Sequence, residues 1–452
     1  RFNYNYKQRY LLEVNGRYDG SSKFAKDHRY AFFPSVSAAW RISEENFWQP
    51  LKGWWNDMKI RGSYGSLGNQ VMDDLGNFPY LATYGTNSSY NYLINGSKPV
   101  IVKAPGLVAP DFTWETVTQM DFGFDASFLN NRLTGTFDWY RRNTKDMLVA
   151  GATLPATLGA SVPKSNSADM KTIGWELSLG WNDRLENGFS YWVKGVLSDY
   201  QATITKYAGN DAGFYSQSDD DGKYYVGQKI GEIWGYHSNG LFQSDDEAAT
   251  IDQSELYAGK WGAGDVKYED LDNDGKITKG EETIYNPGDK SIIGNKTPRY
   301  QFGITVGFDY KNFDFEMFWQ GTGKRDYMLS GAQFWGFTSQ WDVPYTPALD
   351  YWTETNTDAY FPRPGWQNGG NRVTSDRYLQ SAAYGRLKNL TVGYTIPKNL
   401  TTKWGISRLR LYVTGENLLT ITPLNDAFDP ETLGGMTYPI NRKVAIGLNL
   451  TL

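Results

Sequence analysis

The sharpest local motif in the chain is Asp270-Leu271-Asp272-Asn273-Asp274-Gly275-Lys276-Ile277-Thr278-Lys279-Gly280-Glu281. Its spacing satisfies the calcium-loop pattern, in which hard carboxylate oxygens recur every second residue around a glycine turn. Asp270, Asp272 and Asp274 would give side-chain oxygens and Lys276 its backbone carbonyl. Glu281 would close the shell with both oxygens, and Thr278 stands at the position often bridged by water. A structural Ca²⁺ ion is therefore expected here. The flanks differ from an EF-hand, since Gly264-Asp265-Val266-Lys267-Tyr268 reads as strand rather than helix. The competing reading is a solvated acidic turn of the kind Asn273-Asp274-Gly275 commonly forms without an ion.

A second concentration lies between about residues 324 and 383, which carry Phe334, Trp335, Trp341, Tyr345, Tyr351, Trp352, Tyr360, Phe361 and Trp366. Flat rings stack on the apolar faces of sugars, and nearby Asn, Asp and Arg side chains bond the hydroxyls. Trp335, Trp341, Tyr345, Trp352 and Trp366 are the expected contacts to a substrate or a covering lid. The alternative is that the rings pack the loop itself or meet a partner protein, because aromatics are enriched at interfaces generally.

Catalytic chemistry is poorly served. With no Cys and only His28 and His237, a His-rich zinc site, a thiolate site and a Cys nucleophile are excluded. A Ser-His-Asp triad has two candidate bases at most, both in expected loops without a motif around them. Gly321-Thr322-Gly323-Lys324 resembles a phosphate loop but has Phe318 where that pattern needs glycine. Carboxylates for glycoside hydrolysis pair in space rather than in sequence. The expectation is a protein that is not an enzyme.

The elements that must position these residues follow from patterning. Aromatics make up 16% of 452 residues, and the net charge is -5. With a pI near 5.4, this balance argues against a nucleic-acid binder. No run of about 18 apolar residues occurs, so no transmembrane helix is expected. The mean hydropathy of -0.56 is also what two-faced barrel strands average to. Period-2 alternation dominates: Met120, Phe122, Phe124, Ala126 and Phe128 against Gln119, Asp121, Gly123, Asp125 and Ser127 is one case, and Tyr300 to Tyr310 repeats it.

Strands are expected near 10–19, 31–42, 58–67, 115–128, 132–144, 171–183, 188–200, 297–310, 313–323, 384–396, 407–418 and 441–452. They exceed the usual strand of about 5–6 residues. Turns such as Leu129-Asn130-Asn131 and Lys311-Asn312 alternate with long connections near 68–113, 147–170, 205–296, 324–383 and 419–440, apart from the first two connections, which are intermediate. Parity puts the short turns at the C-terminal end of the sheet, the asymmetry of outer-membrane barrels. Rings at strand ends, among them Trp40, Tyr64, Trp181 and Trp319, suit the headgroup level. Glu13, Arg17, Arg61, Asp121 and Glu176 would face a watery lumen. The fold expected is all-β, a transmembrane antiparallel barrel with long extracellular loops.

Several segments together resemble the SusC/RagA family of TonB-dependent outer-membrane transporters. They are Arg17-Tyr18-Asp19-Gly20-Ser21-Ser22-Lys23-Phe24, Lys59-Ile60-Arg61-Gly62-Ser63-Tyr64-Gly65 and Gly174-Trp175-Glu176-Leu177. Further on come Tyr384-Gly385-Arg386-Leu387-Lys388-Asn389-Leu390, Glu416-Asn417-Leu418 and Asp429-Pro430-Glu431. The resemblance runs from about residue 1 to 452. It implies a barrel of about 22 strands holding an N-terminal plug, of which this chain would be the C-terminal part with some 12–13 strands. It also implies import of oligosaccharides or peptides across the Gram-negative outer membrane, capped by a SusD-like surface lipoprotein. The TonB-ExbB-ExbD complex would drive import through an N-terminal segment that this chain lacks, and lipid and lipopolysaccharide would surround the barrel. Leu452 departs from the family, whose members usually end in an aromatic. The runner-up is a secreted, calcium-stabilised β-rich glycan-binding protein or glycoside hydrolase.

Overall fold

The computed structural model describes residues 1–452 apart from 71–76, 88–92, 95, 99, 104, 110–111, 152–154, 156, 158, 160–161, 216–222 and 434–437. A 13-stranded antiparallel sheet takes up the chain in sequence order. Its first strands are β1 (Phe2–Tyr6), β2 (Tyr10–Gly20), β3 (Tyr30–Arg41) and β4 (Trp55–Asn69). Next come β5 (Glu115–Phe128), β6 (Leu133–Ala150), β7 (Lys164–Arg184) and β8 (Ser190–Tyr207). The remainder are β9 (Arg299–Tyr310), β10 (Phe313–Lys324), β11 (Tyr384–Thr395), β12 (Arg408–Ile421) and β13 (Lys443–Thr451). Each of the twelve complete strands expected is present, and β1 makes the thirteenth. β1 and β13 are the edges of the sheet.

The sheet has two chemically distinct faces, and cross-strand register keeps them apart. Val14 pairs with Val36, Val36 with Tyr64 and Tyr64 with Met120, giving an apolar row over four strands. One residue along, Glu13, Ser37, Ser63 and Asp121 form a polar row by the same pairing. Apolar side chains such as Val36, Ile60, Phe122, Val413 and Ile446 stay exposed. A continuous apolar surface of this kind on a wall of tilted strands is the lipid-facing band of an outer-membrane barrel.

Turn chemistry sets the ends. Leu129, Asn130 and Asn131 all take positive φ (55°, 58° and 63°), which lets β5 reverse directly into β6. The short connections at 7–9, 42–54, 129–132, 185–189, 311–312 and 396–407 fall at one end of the sheet. Those at 70–114, 151–163, 208–298, 325–383 and 422–442 fall at the other, as does the shorter 21–29. The connection after β6 is shorter than the 147–170 expected, because pairing continues outward through Leu148↔Asn166 and Val149↔Ser165. Beyond the lipid band neither face has to be apolar, so alternation fades while the hydrogen-bond ladder persists.

The long connections are not independent. Tyr236, Val266, Tyr268 and Ile277 from 208–298 pack with Leu329, Phe334, Trp335, Trp352, Phe361 and Tyr378 from 325–383, and with Leu424, Phe428 and Leu433 from 422–442. Three loops thus share one hydrophobic core and form a folded cap on the outer end of the wall.

Candidate functional site

On the lumen wall, Arg61 of β4 reaches across β5 to Asp138 of β6, and also pairs with Asp125 (3.4 Å) and Asp121 (3.7 Å). Lys59 completes the group through Asp125 at 2.7 Å. Gly123 makes the crossing possible, since a Cβ there would stand 2.8 Å from the Arg61 Cζ. Gly123→Val is accordingly expected to destabilise the wall by about 1–3 kcal/mol by displacing Arg61. Denaturant unfolding in micelles checks this, and an unchanged midpoint would contradict it. Glu13, Arg61 and Asp121 line one lumen cavity, and Glu176 lines another with Asp138 and Ser178.

The acidic loop folds tightly. Asp270 Oδ1 accepts from the Asn273 amide (2.7 Å) and Oδ2 from the Gly275 amide (2.8 Å), while Asp274 Oδ1 accepts from the Lys276 amide (2.8 Å). Asn273 and Gly275 supply the turn with φ of 62° and 83°. As the sequence pattern requires, a strand (Val266–Tyr268) leads into it, and Ile277 anchors it in the cap core. Carboxylate oxygens of Asp270, Asp272 and Asp289 lie within 4.8 Å of one another. Asp274 and Glu281 are not in that group.

Asp289 was not legible in the twelve-residue pattern. It is fully buried and accepts from the Leu271 and Thr278 amides, both at 2.7 Å. The chain returns it under the loop where Gly280 crosses Gly288, so closely that a Cβ on Gly288 would sit 2.6 Å from the Thr278 carbonyl oxygen. Burial alone would raise the Asp270 pKa, but the amides of Gly275, Asn273 and Asp274 outweigh it and lower the carboxyl below its usual range. Desolvation and the negative charges of Asp274 and Asp289 raise Asp272 above it. Crowded carboxylates of this kind favour a cation that would neutralise them.

The five singled-out aromatics divide. Trp335 and Trp352 are each 8% exposed and belong to the cap core. Trp341, Tyr345 and Trp366 are 81%, 46% and 45% exposed and lie outside the shared core. Asp342 fixes the turn that presents Trp341, accepting from the Thr338 and Ser339 amides at 2.7 Å each.

His237, one of the two candidate triad bases, binds Asp376 Oδ2 through Nδ1 (2.8 Å) and Ser291 Oγ through Nε2 (2.7 Å). Ser291 lies inside a paired strand opposite Gly235, not on the exposed strand-to-helix turn that presents a nucleophile. The trio joins the connection 208–298 to 325–383. Gly321-Thr322-Gly323-Lys324 forms the outer end of β10 and no loop.

A family model described as TonB dependent receptor-like, beta-barrel matches residues 1–418. TonB-dependent receptor P26 of Formosa agariphila is 30% identical over 471 residues, covering 100% of this chain and 45% of that protein. TonB-dependent receptor SusC of Bacteroides thetaiotaomicron is 28% identical over 457 residues, covering 100% and 43%. The chain therefore spans less than half the length of these relatives. Among solved structures, the RagAB peptide transporter superposes with a TM-score of 0.78 at 22% identity, covering 99% of this chain and 46% of its own, a likeness of fold.

Proposed function

The chain belongs to the TonB-dependent receptor-like β-barrel family of the outer membrane, and from that premise we propose that it forms wall and cap of an importer of oligosaccharides or peptides. The observation that carries this reading is the pairing of a lipid-facing apolar wall with a polar lumen and one folded, aromatic-rich cap at the outer end. In this reading TonB-ExbB-ExbD supplies the energy through sequence outside this chain. The lumen charges hold water and a plug, and no bond of the solute is made or broken. A secreted hydrolase has no use for an exposed apolar band of this extent.

A SusD-like surface lipoprotein is the proposed lid, seated on the exposed Trp341, Tyr345 and Trp366. Buried aromatic anchors of an interface commonly cost about 2 kcal/mol or more on truncation. Trp341→Ala with Trp366→Ala is expected to release a co-purifying surface lipoprotein, read by pull-down from detergent-solubilised membranes. Undiminished recovery of the lipoprotein would contradict that seat.

The acidic loop is proposed to bind Ca²⁺ structurally through Asp270, Asp272 and Asp289, with Asp274 and the Lys276 carbonyl within the same turn and Glu281 outside it. Asp289→Asn is expected to weaken calcium binding about tenfold or more, whereas Glu281→Gln leaves it nearly unchanged. Isothermal titration of the full transporter checks both, and equal losses would restore the twelve-residue pattern. No binding heat from the unsubstituted protein would dismiss the ion.

A further inference from the structure

A cavity of ≈ 670 Å³ lies between the lumen wall and the cap, lined by Tyr200, Trp234, Lys296, Arg325 and Tyr327 among others. Tyr200 sits on β8 in the same alternation as Val196 and Ser198, which line a lumen cavity with Glu176, so this space opens on the lumen side. Its volume is in the range of ordinary ligand sites.

The walls are set before any ligand arrives. Tyr215 stacks on Trp234 with ring centroids 4.2 Å apart and planes 9° from parallel, which fixes the indole. Arg325 donates its Nε to the Lys296 carbonyl oxygen at 3.0 Å, which fixes the guanidinium plane. Among the described residues no carboxylate pairs with Arg325. Among the described lining residues the acid is Glu232, which is engaged by the Tyr225 hydroxyl and the Lys229 amide. Desolvation pulls Arg325 below the usual arginine range, and desolvation together with the Arg325 charge does the same to Lys296. A half-buried guanidinium with no carboxylate partner among the described residues is held at electrostatic cost, which a bound anion would relieve.

Two chemistries meet in this space. Planar guanidinium matches carboxylate and sulfate with two parallel bonds. Flat aromatic rings match the apolar faces of pyranoses. Resting on the import reading above, we propose that the cavity is a subsite for an acidic oligosaccharide, whose carboxylate or sulfate pairs with Arg325 while a sugar ring lies against Trp234 and Tyr327.

The test is calorimetry on the full-length transporter in detergent with four probes of matched length: an oligogalacturonate, a sulfated oligosaccharide, a neutral oligosaccharide and an acidic peptide. At least one acidic saccharide is expected to bind about tenfold or more tightly than the neutral one. Whichever acidic saccharide wins identifies uronate or sulfate as the source. Arg325→Gln is expected to reduce that preference to about twofold or less without changing neutral binding. Should Arg325→Gln fail to fold, rising salt applied to the unsubstituted protein still separates the cases, since it weakens acidic and not neutral binding. Equal binding of neutral and acidic sugars, tighter binding of the peptide, or no saccharide binding overturns the proposal. Those outcomes leave import itself standing, because import is tested by a separate measurement, TonB-dependent uptake.

Discussion

Phe334→Ala is expected to collapse the cap while leaving the barrel wall folded. Phe334 is fully buried, and its ring meets Trp335 at 5.1 Å, Phe361 at 5.1 Å and Phe428 at 6.2 Å edge-on. Those partners come from two of the three connections that share the core, and Tyr378, 6.3 Å away, holds the far end of 325–383. Removing a buried phenylalanine costs about 3–5 kcal/mol through lost transfer energy and an unfilled cavity. A loop cap lacks the continuous ladder that supports the wall, so this loss falls on its local stability. Limited proteolysis should cut within 325–383, while heat-modifiable migration of the barrel on gels stays as before. Resistance equal to that of the unsubstituted protein would mean that the loops do not depend on their shared core.

The second large effect is expected at Arg386. This side chain is 3% exposed and binds the Thr420 hydroxyl at 2.9 Å, Asp429 at 2.5 Å and Glu431 at 3.2 Å. Lys388 holds Glu431 as well, at 3.0 Å. The network ties the last long connection to β11 and β12. Arg386→Met would leave Asp429 without its cation in a partly dehydrated place, which for buried pairs costs about 3–5 kcal/mol. Asp429 keeps some access to water, so the lower end of that range is expected. In a double-mutant cycle, Asp429→Asn should cost much less once Arg386 is already methionine. Strict additivity in the full-length transporter would contradict the network.

Much of this architecture was legible from residues alone. Alternation located β5, β9 and β10 to within about two residues, since a wall between lipid and water forces opposite chemistry onto neighbouring positions. Two further residues have physical explanations: Gly123 admits Arg61, and Arg386, inside a recognised segment, serves a contact more than 40 residues away in sequence. What resisted reading depends on long-range packing. Trp335 and Trp352 carry the same sequence signature as Trp341 and Trp366, and only the shared core of three loops separates buried rings from displayed ones. Asp289 lies beyond the calcium pattern, and its approach depends on the backbone crossing of Gly280 and Gly288. His237 gained its partners from two distant segments in the same way.

The central claim is energised import through this barrel. Its most direct measurement is uptake of labelled oligosaccharides and peptides by cells expressing the full-length transporter, with and without a functional TonB. The account predicts accumulation of one of these solutes that vanishes when TonB is removed, although the protein remains in the outer membrane. Equal accumulation in both strains, or none in either, would contradict it.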